Sequence, residues 1–166
     1  GFGVVTAVTV WAAIGDIRRF AEPKYLVGYA GLGTRVHDSG MTSRSGKITK
    51  AGRRDLRTVL VEAANAAANS HPHWKAELAR LQPRLGRNKA IVAIGRKLLV
   101  AVWYILAQDK TDRFAQSEAI AQKYLKFAYQ LGKEKRPKGQ SAAQFVRQRL
   151  DALQIGLFGQ KLPPFG

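Results

Sequence analysis

The sequence contains no cysteine. That absence removes disulfides, zinc ribbons and thiol catalysis together, and it fits a reducing cytoplasm. Acidic residues are scarce, 11 Asp and Glu against 28 Lys and Arg, which leaves little for a carboxylate-rich metal site. Long hydrophobic runs are missing too. The longest, residues 98–107, is too short to cross a bilayer. No signal peptide is visible, and the chain opens on Gly1 and not on Met, which reads as a fragment. There is no internal repeat, and no βαβ pattern surrounds the glycines, so a dinucleotide-binding reading of them fails.

What is present is charge and a core. The formal net charge is +17 over 166 residues, with a pI near 10.7. A self-repelling surface of this kind suits a polyanion, and nucleic acid is the leading partner. An anionic membrane surface fits less well, because the cations run along the whole chain and are not confined to one amphipathic helix. With 46% apolar residues, the chain can bury a core and is not a disordered tail.

The punctuation predicts a mostly helical chain. Val4–Ile14 is apolar and follows Gly1-Phe2-Gly3, a short helix after a tight turn. Pro23 suits the first turn of a second helix carrying Leu26, Val27 and Tyr29. Residues 31–46 hold four glycines and read as loop with a short, irregular β-hairpin. Residues 52–69 form the clearest helix, with Leu56, Val59, Leu60, Ala63 and Ala67 as its apolar stripe and Lys50, Arg53, Arg54 and Arg57 as a separate basic one. A short helix ends near Leu81, stopped by Pro83 and Gly86. Asn88 caps the next, which is apolar almost all round to about Gln108. Residues 112–131 form a further helix with Phe114, Ile120, Tyr124, Phe127 and Leu131 inward. A charged linker, 132–140, a last amphipathic helix, 141–153, and a Pro/Gly tail, 157–166, complete the chain.

Few motifs carry chemistry. Gly1 and Gly3 before an apolar helix match the second half of a helix-hairpin-helix, where glycines admit a phosphate to the backbone; an ordinary loop-to-helix turn has the same pattern. Cations at a helix start oppose its dipole at a few tenths of a kcal/mol each. An anion seated between guanidinium forks and free N–H groups would offset that cost at Lys50, Arg53, Arg54 and Arg57. A solvated face is the plainer reading. Ser39 lies near His37 and Asp38 but has no triad spacing and no G-x-S-x-G elbow. Attack of a serine hydroxyl on phosphorus, with guanidinium stabilisation of the developing charge, is the alternative chemistry. Ser43 and Ser45 compete with Ser39 on this evidence. His71 and His73 lack a third ligand for a metal. Trp11, Trp74, Trp103 and Tyr104 read as core or core-edge residues.

Three segments in order, residues 1–32, the Ser39-Gly40 pair and residues 46–64 (GKITKAGRRDLRTVLVEAA), resemble the C-terminal domain of insertion-sequence transposases of families one-ten, one-sixteen and nine-oh-two and the related Piv-type DNA invertases. The likeness covers residues 1–69 and is renewed over 88–106. It implies a serine nucleophile in the Ser-Gly pair, which selects Ser39 over Ser43 and Ser45. It also implies an acidic, resolvase-like N-terminal domain holding divalent metal, multimers that synapse two DNAs and, for some members, a structured guide RNA. Val4 stands where the family commonly has proline, as does Gly33-Thr34; neither departure touches the serine.

The expectation is an all-α, multi-helix fold. Residues 1–110 form the serine domain, with 1–30 helix-hairpin-helix-like and an irregular glycine-rich loop or short β-hairpin carrying the serine. Residues 111–166 form a helical extension. Ser39 attacks a DNA phosphodiester, while Gly1, Gly3, Arg35, Arg44, Lys47, Lys50, Arg53, Arg54 and Arg57 hold the backbone. No metal or cofactor is expected in this chain and no membrane partner. The rival is a non-catalytic, helix-hairpin-helix-type nucleic-acid-binding module.

Overall fold

The computed structural model describes residues 2–39, 42–110, 112, 114–137 and 139–152; for 35–39 and 42–47 it describes the backbone alone. Gly1, the expected turn at Gly40 and the expected tail lie outside the described residues. The chain is predominantly helical. Its order is α1 (Val4–Ile14), a 3-10 turn (Ile17–Arg19), α2 (Pro23–Tyr29), β1 (Thr34–Ser39), β2 (Thr42–Ile48), α3 (Arg54–Ser70), α4 (Pro72–Leu85), α5 (Arg87–Gln108), α6 (Ser117–Leu131) and α7 (Ala142–Ala152). It divides into two compact units, 1–110 and 111–166.

In the first unit, glycine and proline set the early boundaries. Gly15, at φ +62, ends α1, a conformation that costs other residues. Pro23 opens α2, where its missing N–H is not needed. Between them, Asp16 accepts the Arg18 backbone N–H at 3.0 Å and shapes the 3-10 turn. The apolar stripe of α3 buries Leu56, Leu60, Ala63, Ala64, Ala67 and Ala68; Val59 is half-buried and packs at the edge. Each leucine so buried contributes about 1.5–3 kcal/mol.

Helix α5 is the central element and packs against α2, α3 and α4. It buries Ile91, Ile94, Leu98, Leu99 and Trp103. At Gly95 the two backbones nearly touch: a methyl there would stand 3.3 Å from the Leu60 carbonyl oxygen of α3. The Trp103 indole N–H donates to the Phe20 carbonyl at 2.8 Å, tying the end of α5 to the start of the chain. The 22 residues of α5 are long and apolar enough to cross a bilayer by length and composition, more than the ten-residue run suggested. Part of that surface, from Ala90 to Trp103, is buried among the neighbouring helices, while Tyr104, Ile105 and Leu106 are exposed.

Several expected boundaries shift. Helix α4 passes through Pro83 to Leu85 and stops at Gly86, φ +74; a proline at the last turn removes only one helical N–H bond. Gly86, and not Asn88, stands before α5, and Asn88 lies inside that helix. In the second unit α6 begins at Ser117, not Asp112, because the Asp112 carboxylate takes the Phe114 N–H at 3.0 Å in a local turn. Phe145, Val146 and Leu150 of α7 pack with Ala121 and Ala128 of α6, flanked by Ile120, Tyr124, Phe127 and Leu131. Ser141 and Gln144 cap α7 reciprocally: the Gln144 N–H donates to Ser141 Oγ at 3.2 Å and the Ser141 N–H to Gln144 Oε1 at 2.8 Å.

Candidate functional site

Strands β1 and β2 pair antiparallel, with Thr34 opposite Ile48, Val36 opposite Ser45, His37 opposite Arg44, Asp38 opposite Ser43 and Ser39 opposite Thr42. The register shifts between Thr34 and Val36, where the single residue Arg35 of β1 faces two of β2, Gly46 and Lys47, so the extra residue lies on β2. The three candidate serines therefore occupy three rungs of one ladder, with Ser39 at the end remote from the helices. Arg44 and Lys47 lie on β2.

At the other end, the chain leaves β2 and enters α3. The expected basic stripe is not one helical face. Helix α3 starts at Arg54, so Lys50 and Arg53 precede it. Lys50 holds a left-handed backbone at φ +54. Arg53 caps the helix without a side-chain cap bond, and its guanidinium grips the Asp55 carboxylate with Nε to Oδ1 at 3.0 Å and Nη2 to Oδ2 at 2.5 Å. That fork holds the Asp55 carboxyl down at about 2, below the usual aspartate value, and raises Arg53. Asp55 thus supplies an acid to the first helical turn beside the cations. Arg57 donates from Nη1 to the carbonyl oxygens of Ala30 at 3.1 Å and Lys50 at 3.3 Å. Among the described residues, Lys50 and Arg54 are exposed and have no ion pair. A shallow groove of about 690 Å³ runs along α3 from Arg53 and Arg54 past Thr58 and Val59 to Glu62.

Two cations that the sequence reading passed over stand close by. Arg19 lies over the rings of Phe20 and Tyr29, 4.6 and 4.5 Å from their centroids. The Tyr29 hydroxyl donates to the Ala13 carbonyl at 3.3 Å and accepts from Arg53 Nη1 at 3.5 Å. Arg19 first, then Arg53, holds the Tyr29 phenol below its ordinary value, against the effect of burial. The Arg18-Arg19 doublet between two short helices was the available signal. Arg18 is paired with Asp16 at 2.8 Å.

Gly3 precedes α1 with φ −93, a backbone that any residue adopts, and a methyl there meets nothing within 4 Å. Its own fold does not demand glycine. Trp11, expected in the core or at its edge, is 66% exposed on α1 beside Val4, Val5 and Val8, and Tyr104 is also exposed; Trp74 and Trp103 are buried. Among the described residues no group of three His, Asp or Glu could hold a metal ion.

The described residues define a basic, helix-built domain with one antiparallel ladder set between α2 and α3. Residues 1–79 match the model of the Transposase IS116/IS110/IS902 family. The chain is 34% identical over 117 residues to a transposase for insertion sequence element IS1111A of Coxiella burnetii, covering 68% of this chain and 32% of that protein. It is 32% identical over 117 residues to a probable family 20 transposase of Pseudomonas aeruginosa, covering 68% and 35%. A pilin gene-inverting protein of Moraxella bovis is 32% identical over 114 residues, covering 66% and 35%. The chain spans about a third of the length of these curated relatives. No solved structure matches it at a significant level.

Proposed function

We propose that this chain is the serine-bearing part of a DNA transposase or site-specific recombinase, with Ser39 as the nucleophile. The observation that carries the reading is the family match over residues 1–79, a segment that contains the whole ladder and the start of α3. In the step envisaged, a bond forms between Ser39 Oγ and a backbone phosphorus as one phosphorus–sugar oxygen bond breaks. The serine proton passes to a base and the departing sugar oxygen takes one up. One DNA end is then held as a phosphoserine until the second strand attacks it. Arg35, Arg44, Lys47, Lys50, Arg53 and Arg54 contact phosphates and offset the charge that builds on phosphorus, and Arg19 extends this cationic edge. Arg57, expected among them, is already engaged by the fold. Residues 1–110 form the serine domain.

A divalent metal belongs, on this proposal, to an acidic domain outside these residues. The assembled protein bridges two DNA segments as a multimer at the nucleoid, and in some family members takes a structured RNA partner. The test is a full-length protein trapped on suicide DNA. The covalent adduct maps to Ser39, and Ser39→Ala lowers strand exchange by about 10³-fold or more while DNA binding persists. Normal exchange by Ser39→Ala would sink the proposal.

The rival reading, a non-catalytic helix-hairpin-helix-type module over residues 1–30, draws on α1, whose first N–H groups follow Gly3 with no side-chain cap. It expects salt-sensitive binding and no adduct on any substrate.

A further inference from the structure

The chain enters β1 through Gly31-Leu32-Gly33 and leaves β2 through Thr49 to Gly52. These two feet are stitched together and to α2 by backbone bonds: Thr49 N–H to the Gly33 carbonyl at 2.8 Å, Lys50 N–H to Gly31 at 3.1 Å, and Arg53 N–H to Tyr29 at 2.8 Å. Arg57 reaches this crossing from the first turn of α3. Its Nη1 bonds one carbonyl on the incoming side, Ala30, and one on the outgoing side, Lys50, so a single nitrogen bridges both feet.

There is no slack around it. A methyl on Gly31, whose φ is +67, would stand 2.7 Å from that Nη1 and 3.0 Å from the Lys50 carbonyl carbon. A methyl on Gly52 would run into the Tyr29 carbonyl oxygen and stand 2.6 Å from the Gly31 nitrogen. Two backbones and one guanidinium occupy all the space.

An isolated two-stranded ladder is marginal in water, and of the ladder's described side chains only Ile48 packs against the core. Its direction is therefore set at its feet. Ser39 lies five residues beyond Thr34, roughly 16 Å along the strand. A tilt of about ten degrees at the feet would carry residue 39 by roughly 3 Å over that length, and a displacement of about 1 Å can cost 10²-fold in rate.

We propose that Arg57 is a positioning residue that locks the feet of the ladder and so fixes where Ser39 stands, and that it is not a phosphate contact. The proposal rests on the reading of Ser39 as nucleophile. In the full-length protein, Arg57→Ala should lower single-turnover cleavage at saturating DNA by roughly 10²-fold, with the DNA dissociation constant and its salt slope unchanged. Arg57→Lys, which keeps charge and a donor, should fall between. A phosphate contact would behave oppositely: the salt slope would drop by about one and affinity would weaken, with the saturating rate intact. That result overturns the proposal, and so does an unchanged saturating rate without any loss of affinity. Should Arg57→Ala fail to fold, Arg57→Lys is read by the same two measurements. Hydrogen exchange at the Lys50 and Arg53 amides supplies a readout independent of the chemistry: both should exchange faster in the variant. If Ser39→Ala cleaves normally yet these amides loosen, the nucleophile assignment fails and the lock stands; if they do not loosen, the lock itself fails.

Discussion

Among the described ion pairs, Glu77 is the least exposed carboxylate. It lies on α4 with 10% of its side chain exposed and accepts Arg80 Nε at 2.9 Å and Nη2 at 2.8 Å, with Lys97 of α5 closing on the same carboxylate. Arg80 first, with Lys97, pulls its pKa from 4.5 to about 2. A carboxyl depressed on folding adds stability that is complete above its unfolded value and fades as pH falls through the folded one. The gain should therefore be full above pH 4.5 and drain away toward about pH 2. Urea midpoints taken across that window should converge for the wild type and Glu77→Gln, having been higher for the wild type at neutral pH. A constant gap would show that Glu77 acts through packing alone. The Arg53–Asp55 pair, with both side chains about half exposed, should move stability little. At this scale the sequence revealed which cations gather before α3 but not what they grip. Arg53 meets an acid two residues away, which a helical-stripe reading places on a different face. Arg57 meets a carbonyl 27 positions earlier, a separation that local spacing cannot register.

Helices α3 and α5 can approach closely because Gly95 sets no side chain against the Leu60 carbonyl and the Ala64 methyl of α3. Gly95→Leu should cost about 1–3 kcal/mol through overpacking. Gly95→Ala should be nearly neutral: the 3.3 Å contact with the Leu60 carbonyl offsets the ~1 kcal/mol that alanine gains over glycine in a helix. Chemical denaturation of both variants checks the pair, and equal costs would refute the crossing geometry. Elements bounded by strong punctuation were legible. Gly3 and Pro23 open α1 and α2 where the sequence put them. Elements bounded by weaker signals moved: α4 tolerates Pro83 in its last turn, and α6 waits until Ser117 because a side chain diverts the preceding backbone. The ladder was harder. Its glycine-rich residues lack a clean alternation, so neither its register nor the shift beside Arg35 could be read in advance.

The two units have cores of different depth. Unit 1–110 buries leucines, isoleucines and two tryptophans, whereas 111–166 rests on Phe145, Val146, Leu150 and three alanines. Small cores are marginal. Residues 1–110 expressed alone should keep their helical circular dichroism and unfold cooperatively, at the temperature of the upper transition of the whole chain, with residues 111–166 melting lower. Loss of cooperative unfolding in the shorter chain would show that its core is incomplete. The basic excess was plain from composition, but its partition into paired and exposed cations was not. The apolar face of α1, with Val5 79% and Trp11 66% exposed, adds a colloidal consequence. At low ionic strength, mutual repulsion at +17 keeps copies of this chain apart. Salt shortens the reach of that repulsion, to roughly 3 Å at 1 M, without weakening the attraction between exposed apolar side chains. Concentrated salt is thus the condition under which the exposed α1 faces of two copies should begin to stick to one another.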